Sequence, residues 1–248
     1  MKILLEDRSL LKISGSDAEI FLQNQLSNDI TILDSSKIQL NAYCQHQGKI
    51  IGLFWVMKPD ESFLISLPKD LLLKIKQRLE MFVIMSDVVI EDVSKSFFQI
   101  GLIDEKESSA YHIKDNLSLL VDNLTDISNH KLGNLTEWDL ALNTSLLPEV
   151  FLATSEKFVP QMLNLDIDEI GVNFSKGCYP GQEVVARLHY LGSAKRRLFS
   201  FKSNQEMLIG DSLYCASSKT ALARGDRYKG SGIVVSKVKY NSLFYCLA

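Results

Sequence analysis

The alternation of hydrophobic and polar positions divides the chain into a mixed first part and a strand-rich last part. Up to about residue 192, helical periodicities are interleaved with short apolar runs of the kind that form strands. The predicted helices are 17–26, 69–81 and 134–147. The predicted strands are 38–44, 49–57, 63–67, 88–93, 97–103 and 117–121. This order of elements favours an α+β fold.

Local signals support the helix boundaries. A capping-box pattern at 16–19 precedes the first helix, and Pro68 suits position N1 of the second. The third helix ends before Pro148, because a proline disfavours helical conformation in the residue before it. Its buried face is predicted to consist of Leu135, Trp138, Leu142 and Leu146.

The pattern changes after about residue 193, where short strands are separated by turn-rich segments. The strands are predicted at 197–202, 212–216, 232–239 and 242–247. Closely spaced short strands without a long helix are typical of a small antiparallel barrel or sandwich. We therefore predict an α+β body at 1–192 and a C-terminal β-barrel module at 193–248.

The run KGCYPGQE at 176–183, called here the signature loop, is the most unusual segment of the chain. Gly177 and Gly181 permit positive φ angles, and Pro180 fixes the backbone between them. Such a composition buries little apolar surface. It therefore predicts a shaped loop that presents Cys178.

The surroundings of Cys178 favour a thiolate. Lys176 and Arg187 supply positive charge, and if Gln182 to Ala186 opens a helix, its N-terminal amides add more. A thiol of this kind suits a nucleophile, a redox group or a soft metal ligand. The alternative is a tight turn with an unreactive cysteine, since free cysteines commonly behave as small hydrophobes.

Composition excludes some classes of function but says less about the chemistry than the signature loop does. The 248 residues carry a net charge of −3, which gives no general attraction to nucleic acid. The four cysteines are Cys44, Cys178, Cys215 and Cys246, and their wide spacing argues against a zinc ribbon or a disulfide framework. No apolar run is long enough to span a membrane, and the start is too charged for a secretory segment. We expect a cytoplasmic protein without a membrane partner or stably bound metal.

The signature loop resembles the motif Lys-Gly-Cys-Tyr-x-Gly-Gln-Glu of the YgfZ family. Upstream, Pro160 to Leu165 is similar to that family's Pro-x-x-x-Asn-Leu segment. Near the N-terminus, 15–29 and then Gln47-Gly48-Lys49 resemble its opening. Matching pieces extend from about residue 13 to about residue 197.

The resemblance implies a fold, a ligand and a role. The fold is that of the aminomethyltransferase T-protein: interleaved domains around a central folate cavity, the second at roughly 58–130, followed by a barrel. The function is tetrahydrofolate-dependent support of iron–sulfur cluster assembly or repair in client enzymes, including tRNA-modifying ones. Cys178 becomes the functional thiol and a possible transient cluster ligand. The cofactor-binding residues expected from the resemblance are Asn28, Asp29, Lys176, Tyr179, Gln182, Glu183 and Arg187.

Two other functions stay open. The first is a folate-dependent aminomethyltransferase, although the T-protein family's acidic pair is missing from the matching stretch 48–53. The second is direct tRNA binding through a cationic cluster that could also hold a folate's glutamate tail. That cluster consists of Arg187, His189, Lys195, Arg196 and Arg197.

Overall fold

The computed structural model describes residues 1–123, 132–213 and 232–248. Three features singled out in the sequence lie partly or wholly outside these ranges. They are the last residues of the proposed 58–130 subdomain, the end of the 212–216 strand, and Cys215.

Strands dominate the described part of the chain. The strands of the first half are β1 (Lys2–Leu4), β2 (Arg8–Ser14), β3 (Ile38–Cys44), β4 (Ile50–Met57), β5 (Phe63–Pro68), β6 (Val89–Asp92), β7 (Phe97–Ile103), β8 (Tyr111–Lys114) and β9 (Leu117–Asn123). Those of the C-terminal part are β10 (Ser200–Ser203), β11 (Ser212–Leu213), β12 (Gly232–Ile233), β13 (Ser236–Tyr240) and β14 (Leu243–Leu247). The described α-helices are α1 (Ala18–Gln25), α2 (Leu72–Glu80), α3 (Leu135–Thr144) and α4 (Gln182–Leu191).

Antiparallel pairing organises these strands into separate sheets. A five-stranded sheet has the order β3-β4-β5-β2-β6, and a four-stranded sheet has the order β1-β7-β9-β8. The C-terminal strands form a three-stranded sheet, β10-β14-β13, and a two-stranded ribbon of β11 and β12. The described C-terminal strands do not close into a barrel, so this part of the prediction is not confirmed. The domain boundaries stay predictions.

The five-stranded sheet supplies much of the core. Every residue of β4 and β5 is buried, so these strands read as continuous apolar runs rather than as alternating ones. The predicted strands of this sheet are therefore confirmed. Helix α1 follows β2, and its C-terminal end together with the residues after it, 23–28, anchors the signature loop.

The second helix begins later than predicted. Pro68 ends β5 in an extended conformation, opposite Arg8 in the register, and the Lys69 amide continues the pairing by donating to the Asp7 carbonyl at 2.8 Å. A 3₁₀ turn, Lys69–Leu71, then leads into α2. Strand pairing thus holds Pro68 in β5, and a 3₁₀ turn replaces the first α-helical turn that the pattern predicted.

The third helix ends earlier than predicted, and Leu146 is not on its buried face. Leu146 has φ +54° and is 41% exposed, while Leu147 is buried in its place. The Leu147 amide donates to the Leu142 carbonyl at 3.0 Å, and the Leu146 amide to that of Asn143 at 3.3 Å. This is the hydrogen-bond pattern of a Schellman cap, which reverses the chain at a left-handed residue.

Other differences concern short strands. The sequence prediction missed β1, β2 and β8, and it joined β12 and β13 into one strand. No described helix combines the length and the apolar character that a membrane crossing requires.

Candidate functional site

Within the signature loop, Gly181 is the N-cap of α4 and the last two residues already belong to that helix, so the conditional prediction of a helix from Gln182 is confirmed. Cys178 lies three residues before that N-cap and is exposed. Gly177 beside it is also exposed, whereas Lys176 and Tyr179 are buried. The loop therefore has an outer face with the thiol and an inner face that packs on the body.

Lys176 anchors the inner face. Its ammonium donates to the main-chain carbonyls of Gln23 at 2.6 Å, Leu26 at 2.5 Å and Asn28 at 3.0 Å. Three acceptors use all the N–H donors of an ammonium group, and they lie at the C-terminal end of α1, where a cation is favoured. Burial lowers the pKa of Lys176 to about 8, and the Asp29 carboxylate acts in the opposite direction.

Asn28 and Asp29 form the other half of this anchor. The Asn28 side chain donates to the Leu40 carbonyl at 3.2 Å, and its main-chain amide donates to the Asn41 side chain at 3.0 Å. The Asp29 carboxylate accepts from the Thr31 hydroxyl at 2.7 Å, which is the main cause of its lowered pKa. These contacts fix the segment that receives Lys176.

Gly181 brings the loop against a hairpin turn. With φ +85°, its position leaves no room for a side chain: a Cβ atom would lie 2.4 Å from the Gln45 carbonyl oxygen and 2.8 Å from backbone atoms of Gly48. Gly48 also approaches Val184 of α4. The β3–β4 turn and the start of α4 are thus in direct backbone contact.

Tyr179 packs beneath the loop. It is 6% exposed, and burial is the main reason that the pKa of its phenol is raised. The Lys176 ammonium lies 5.3 Å from the centre of its ring. Cys44 is also buried, and desolvation raises the pKa of its thiol to about 12, so this thiol stays protonated and inert.

The remaining predicted residues lie on α4. The Gln182 side chain donates to the carbonyls of Lys176 at 3.4 Å and Gly177 at 3.3 Å, which closes the loop on itself. Glu183 and Arg187 are exposed one turn apart. His189 stacks on Phe174 with ring centres 3.8 Å apart.

A cavity of about 760 Å³ is lined in part by Lys49, which follows the hairpin turn. It combines positive charge with an apolar surface, a composition suited to an anionic ligand that has aromatic or apolar parts. Its cationic residues are Lys49, Lys157, Lys195, Arg196 and Arg197. Its apolar residues include Phe158, Met162, Leu163, Phe199, Phe201, Ile233 and Val235.

The cavity wall is joined to the signature loop's helix. The Gln161 side chain donates to the Val185 carbonyl of α4 at 2.7 Å, and the Gln161 carbonyl accepts from Arg197 at 3.0 Å. Arg197 is also paired with Asp166 at 3.0 Å. Asn164 adopts a left-handed conformation and donates to the Leu198 carbonyl at 3.0 Å, which explains the asparagine of the 160–165 segment.

The structure divides the predicted site residues into two groups. Lys195, Arg196 and Arg197 line the cavity. Of the seven cofactor-binding residues expected from the resemblance, none lines the described part of the cavity, so their contact with folate stays a prediction. Sequence reasoning missed the cavity residues Lys157, Phe158 and Met162, although the matching segment around Pro160 pointed to this region.

Comparison with known proteins identifies the family. No family model matches the chain. An uncharacterized protein of Haemophilus influenzae is 34% identical over 85% of this chain and 77% of its own length. The tRNA-modifying protein YgfZ of Buchnera aphidicola subsp. Schizaphis graminum is 30% identical over 84% of this chain and 75% of its own length. The chain belongs to the YgfZ family. The YgfZ protein of Photorhabdus laumondii is 28% identical and matches across 97% of this chain.

A solved structure confirms the type of fold. The crystal structure of glycine cleavage system aminomethyltransferase T from Bartonella henselae superposes with a TM-score of 0.65. It covers 99% of this chain and 77% of that chain, at 10% sequence identity. The mixed α and β fold of this YgfZ-family chain is therefore T-protein-like, as the sequence indicated. Identity this low carries the fold alone.

Proposed function

We propose that this protein is a cytoplasmic, tetrahydrofolate-binding factor that supports the assembly or repair of iron–sulfur clusters in client enzymes. The observation that carries the proposal is the combination of a cation-lined cavity with an exposed thiol on an anchored loop. The cavity would be the central folate cavity of the T-protein-like fold, with the C-terminal strands forming the barrel beside it.

The residues of the cavity fit a folate. A folate has a flat aromatic ring system and a tail of carboxylates, and the cavity offers both kinds of partner. The rings of Phe158, Phe199 and Phe201 line it together with Met162, while the five cations supply charge for the tail. When bound, a folate supplies one-carbon chemistry.

The thiol suits a transient role. Cys178 is exposed on a loop whose inner face is fixed by buried hydrogen bonds, so a partner can reach it without opening the fold. A thiolate is a ligand that iron in a client's cluster favours. The described residues contain no cluster of ligands that could hold a metal ion of their own.

Calorimetry with a reduced folate under anaerobic conditions tests the cavity. We expect a micromolar-class dissociation constant, which corresponds to a binding free energy of about −8 kcal/mol. In Lys195→Glu the affinity should fall at least tenfold, which corresponds to about 1.4 kcal/mol. Lys106→Glu makes the same charge change at an exposed position outside the cavity and should bind like the wild type. A flat wild-type titration contradicts the folate proposal.

Complementation in cells tests the thiol. A strain that depends on this protein for iron–sulfur enzyme activity should lose that activity with Cys178→Ala, which removes only the exposed sulfur. Cys246→Ala removes a buried sulfur and should retain the activity. Full activity with Cys178→Ala would remove the thiol from the proposal.

The aminomethyltransferase alternative lacks a carboxylate where the T-protein family has its acidic pair. In the matching stretch, β4 is buried along its whole length and carries no acid. Supplying an aminomethylated lipoyl donor together with tetrahydrofolate separates the two functions, since methylene transfer would establish the enzyme.

RNA binding is a second candidate, favoured by exposed aromatic residues beside cations. Tyr190 is 66% exposed one turn from Arg187, and Phe199 is 69% exposed near Lys195. Bases stack on such rings, and phosphates pair with such cations. The relatives named as tRNA-modifying proteins support testing tRNA. Binding should weaken with salt and in Tyr190→Ala, and its absence at low salt would end this candidate.

A further inference from the structure

Gln161 lies between the cavity and the helix that carries the signature loop. Its side chain is 1% exposed, and its amide donates to the Val185 carbonyl, which belongs to the first turn of α4. Val185 is itself 1% exposed. A buried donor of this kind cannot move away from its acceptor without being left unpaired, so Gln161 and the start of α4 are expected to shift together.

The main chain of Gln161 faces the cavity through Arg197. The Arg197 guanidinium lines the cavity, donates to the Gln161 carbonyl and pairs with Asp166. An anion that enters the cavity attracts the same guanidinium and competes with those two acceptors. Binding of an anion therefore weakens the hydrogen bond from the Arg197 guanidinium to the Gln161 carbonyl.

A second contact joins the two sites through the hairpin turn. Lys49 lines the cavity, and the preceding Gly48 touches Gly181, the N-cap of α4. Because this contact is between backbones with no space for a side chain, the turn and the N-cap cannot move independently. Cys178 lies three residues before that N-cap.

We propose that Gln161 is a positioning residue that couples the occupancy of the cavity to the reactivity of Cys178. The inference rests on the proposed folate function and deepens it. A ligand in the cavity would change how the signature loop presents Cys178. The thiol would therefore react with a client at a different rate in the folate-loaded protein than in the empty one.

The test is the rate at which iodoacetamide alkylates Cys178, with and without saturating 5-formyltetrahydrofolate. The Cys178 peptide is quantified by mass spectrometry, so that the other cysteines do not contribute. We expect the folate to change the wild-type rate about fivefold or more. In Gln161→Met, which keeps the size but removes the donor, the two rates should become equal while calorimetry shows that the folate still binds.

Gln99→Met is the matched control. Gln99 is also a buried glutamine, but it lies in β7 of the four-stranded sheet and does not line the cavity. It should keep the wild-type response. Thermal melting checks that both variants are folded. If Gln161→Met is unfolded, the effect of the folate on the alkylation rate of the wild type decides the inference.

The outcomes separate this inference from the function on which it rests. A wild-type protein that binds the folate without any change in the alkylation rate overturns the coupling and leaves the folate proposal standing. An equal response in wild type and Gln161→Met overturns the role of Gln161. Failure of the wild type to bind the folate overturns both.

Discussion

The inner face of the signature loop is buried and hydrogen-bonded, whereas its outer face is exposed, although only one residue separates Lys176 from Cys178. On the inner face, Lys176 is buried with its ammonium bonded to three carbonyls, and Gly181 is in backbone contact with a turn. On the outer face, Gly177 and Cys178 are exposed, and a Cβ at position 177 would meet nothing within 4 Å. Most of this motif therefore holds the loop, while its outer face presents the side chain of Cys178.

The largest effect on stability should come from removing the charged ammonium group of the inner face. Lys176→Met keeps an apolar side chain in place but takes the ammonium donor away from three carbonyls, two of them in buried hydrogen bonds. We expect a loss of about 3–5 kcal/mol in the free energy of unfolding. Urea denaturation measures it, with Lys195→Met as the same change at an exposed position, where the loss should stay below about 0.5 kcal/mol. A loss below about 1 kcal/mol in Lys176→Met would contradict this account of the anchor.

Asp139 sharpens the comparison because it is a half-buried carboxyl group that has no such set of donors among the described residues. Burial, together with the negative charges of Glu149 and Asp7, raises its pKa from 3.8 to about 7, while Arg8 acts in the opposite direction. The folded protein therefore holds a proton that the unfolded chain releases above about pH 4. Stability should fall as the pH rises from about 4 to about 7 and become level above about 8.

Asp139→Asn should remove much of this slope. The amide imitates the protonated acid, so we expect the variant to be more stable than the wild type at pH 8 by about 2 kcal/mol and similar to it near pH 4. Unfolding in urea at several pH values measures the difference. Glu91→Gln neutralises an exposed carboxylate on β6 and should leave the slope unchanged. A slope that survives in Asp139→Asn would show that another group takes up the proton.

The two glycines of the loop provide a smaller and closely matched test. Gly181→Ala introduces a methyl group at φ +85°, 2.4 Å from the Gln45 carbonyl oxygen, and should cost about 1–3 kcal/mol. Gly177→Ala makes the same change four positions earlier in open space and should stay within about 0.5 kcal/mol of the wild type. Thermal melts of the pair measure the difference, and equal melting temperatures would remove the distinction between the faces.

The smallest effect on the fold should come from the thiol itself. Cys178→Ala should change the free energy of unfolding by less than about 0.5 kcal/mol, because the side chain is exposed. In the native wild type, Ellman's reagent should modify Cys178 rapidly, whereas Cys44 should react only after unfolding, since its buried thiol has a pKa raised to about 12. Rapid modification of native Cys44 would contradict its burial.

Regular patterns in the sequence predicted much of the fold. Strands β3, β4 and β5 and helix α3 follow from apolar runs, periodicity and a capping box, because these signals are local. Helix α1 forms where its periodicity predicted it, but the capping box expected at 16–19 does not form, since the N-cap is Asp17 and makes no side-chain cap hydrogen bond. The errors arose where strand pairing or a local reversal of the chain prevailed over the pattern. Pro68 is held in β5 by its pairing with Arg8, and a Schellman cap turns Leu146 outward. Strand β1 is only three residues long, too short for a pattern to be recognised.

The site was predictable in part. The composition of the signature loop pointed to an exposed thiol and to the helix after it, and the structure has both. The sequence could not show that Lys176 turns away to bond the end of α1, since its partners lie far away along the chain. The cavity was hidden for the same reason: Lys49, Lys157 and Lys195 meet only after folding.

The bonds of Lys176 also have a consequence for the order in which the protein is made. Its ammonium joins carbonyls that precede it by 153, 150 and 148 residues. At a synthesis rate of about 5–20 residues per second, the end of α1 waits about 8–30 s for this partner to leave the ribosome. The nascent chain therefore carries an unfinished helix end for most of its synthesis. Cys178 follows Lys176 after a single glycine, so its presentation on a fixed loop also comes late in the synthesis of the chain.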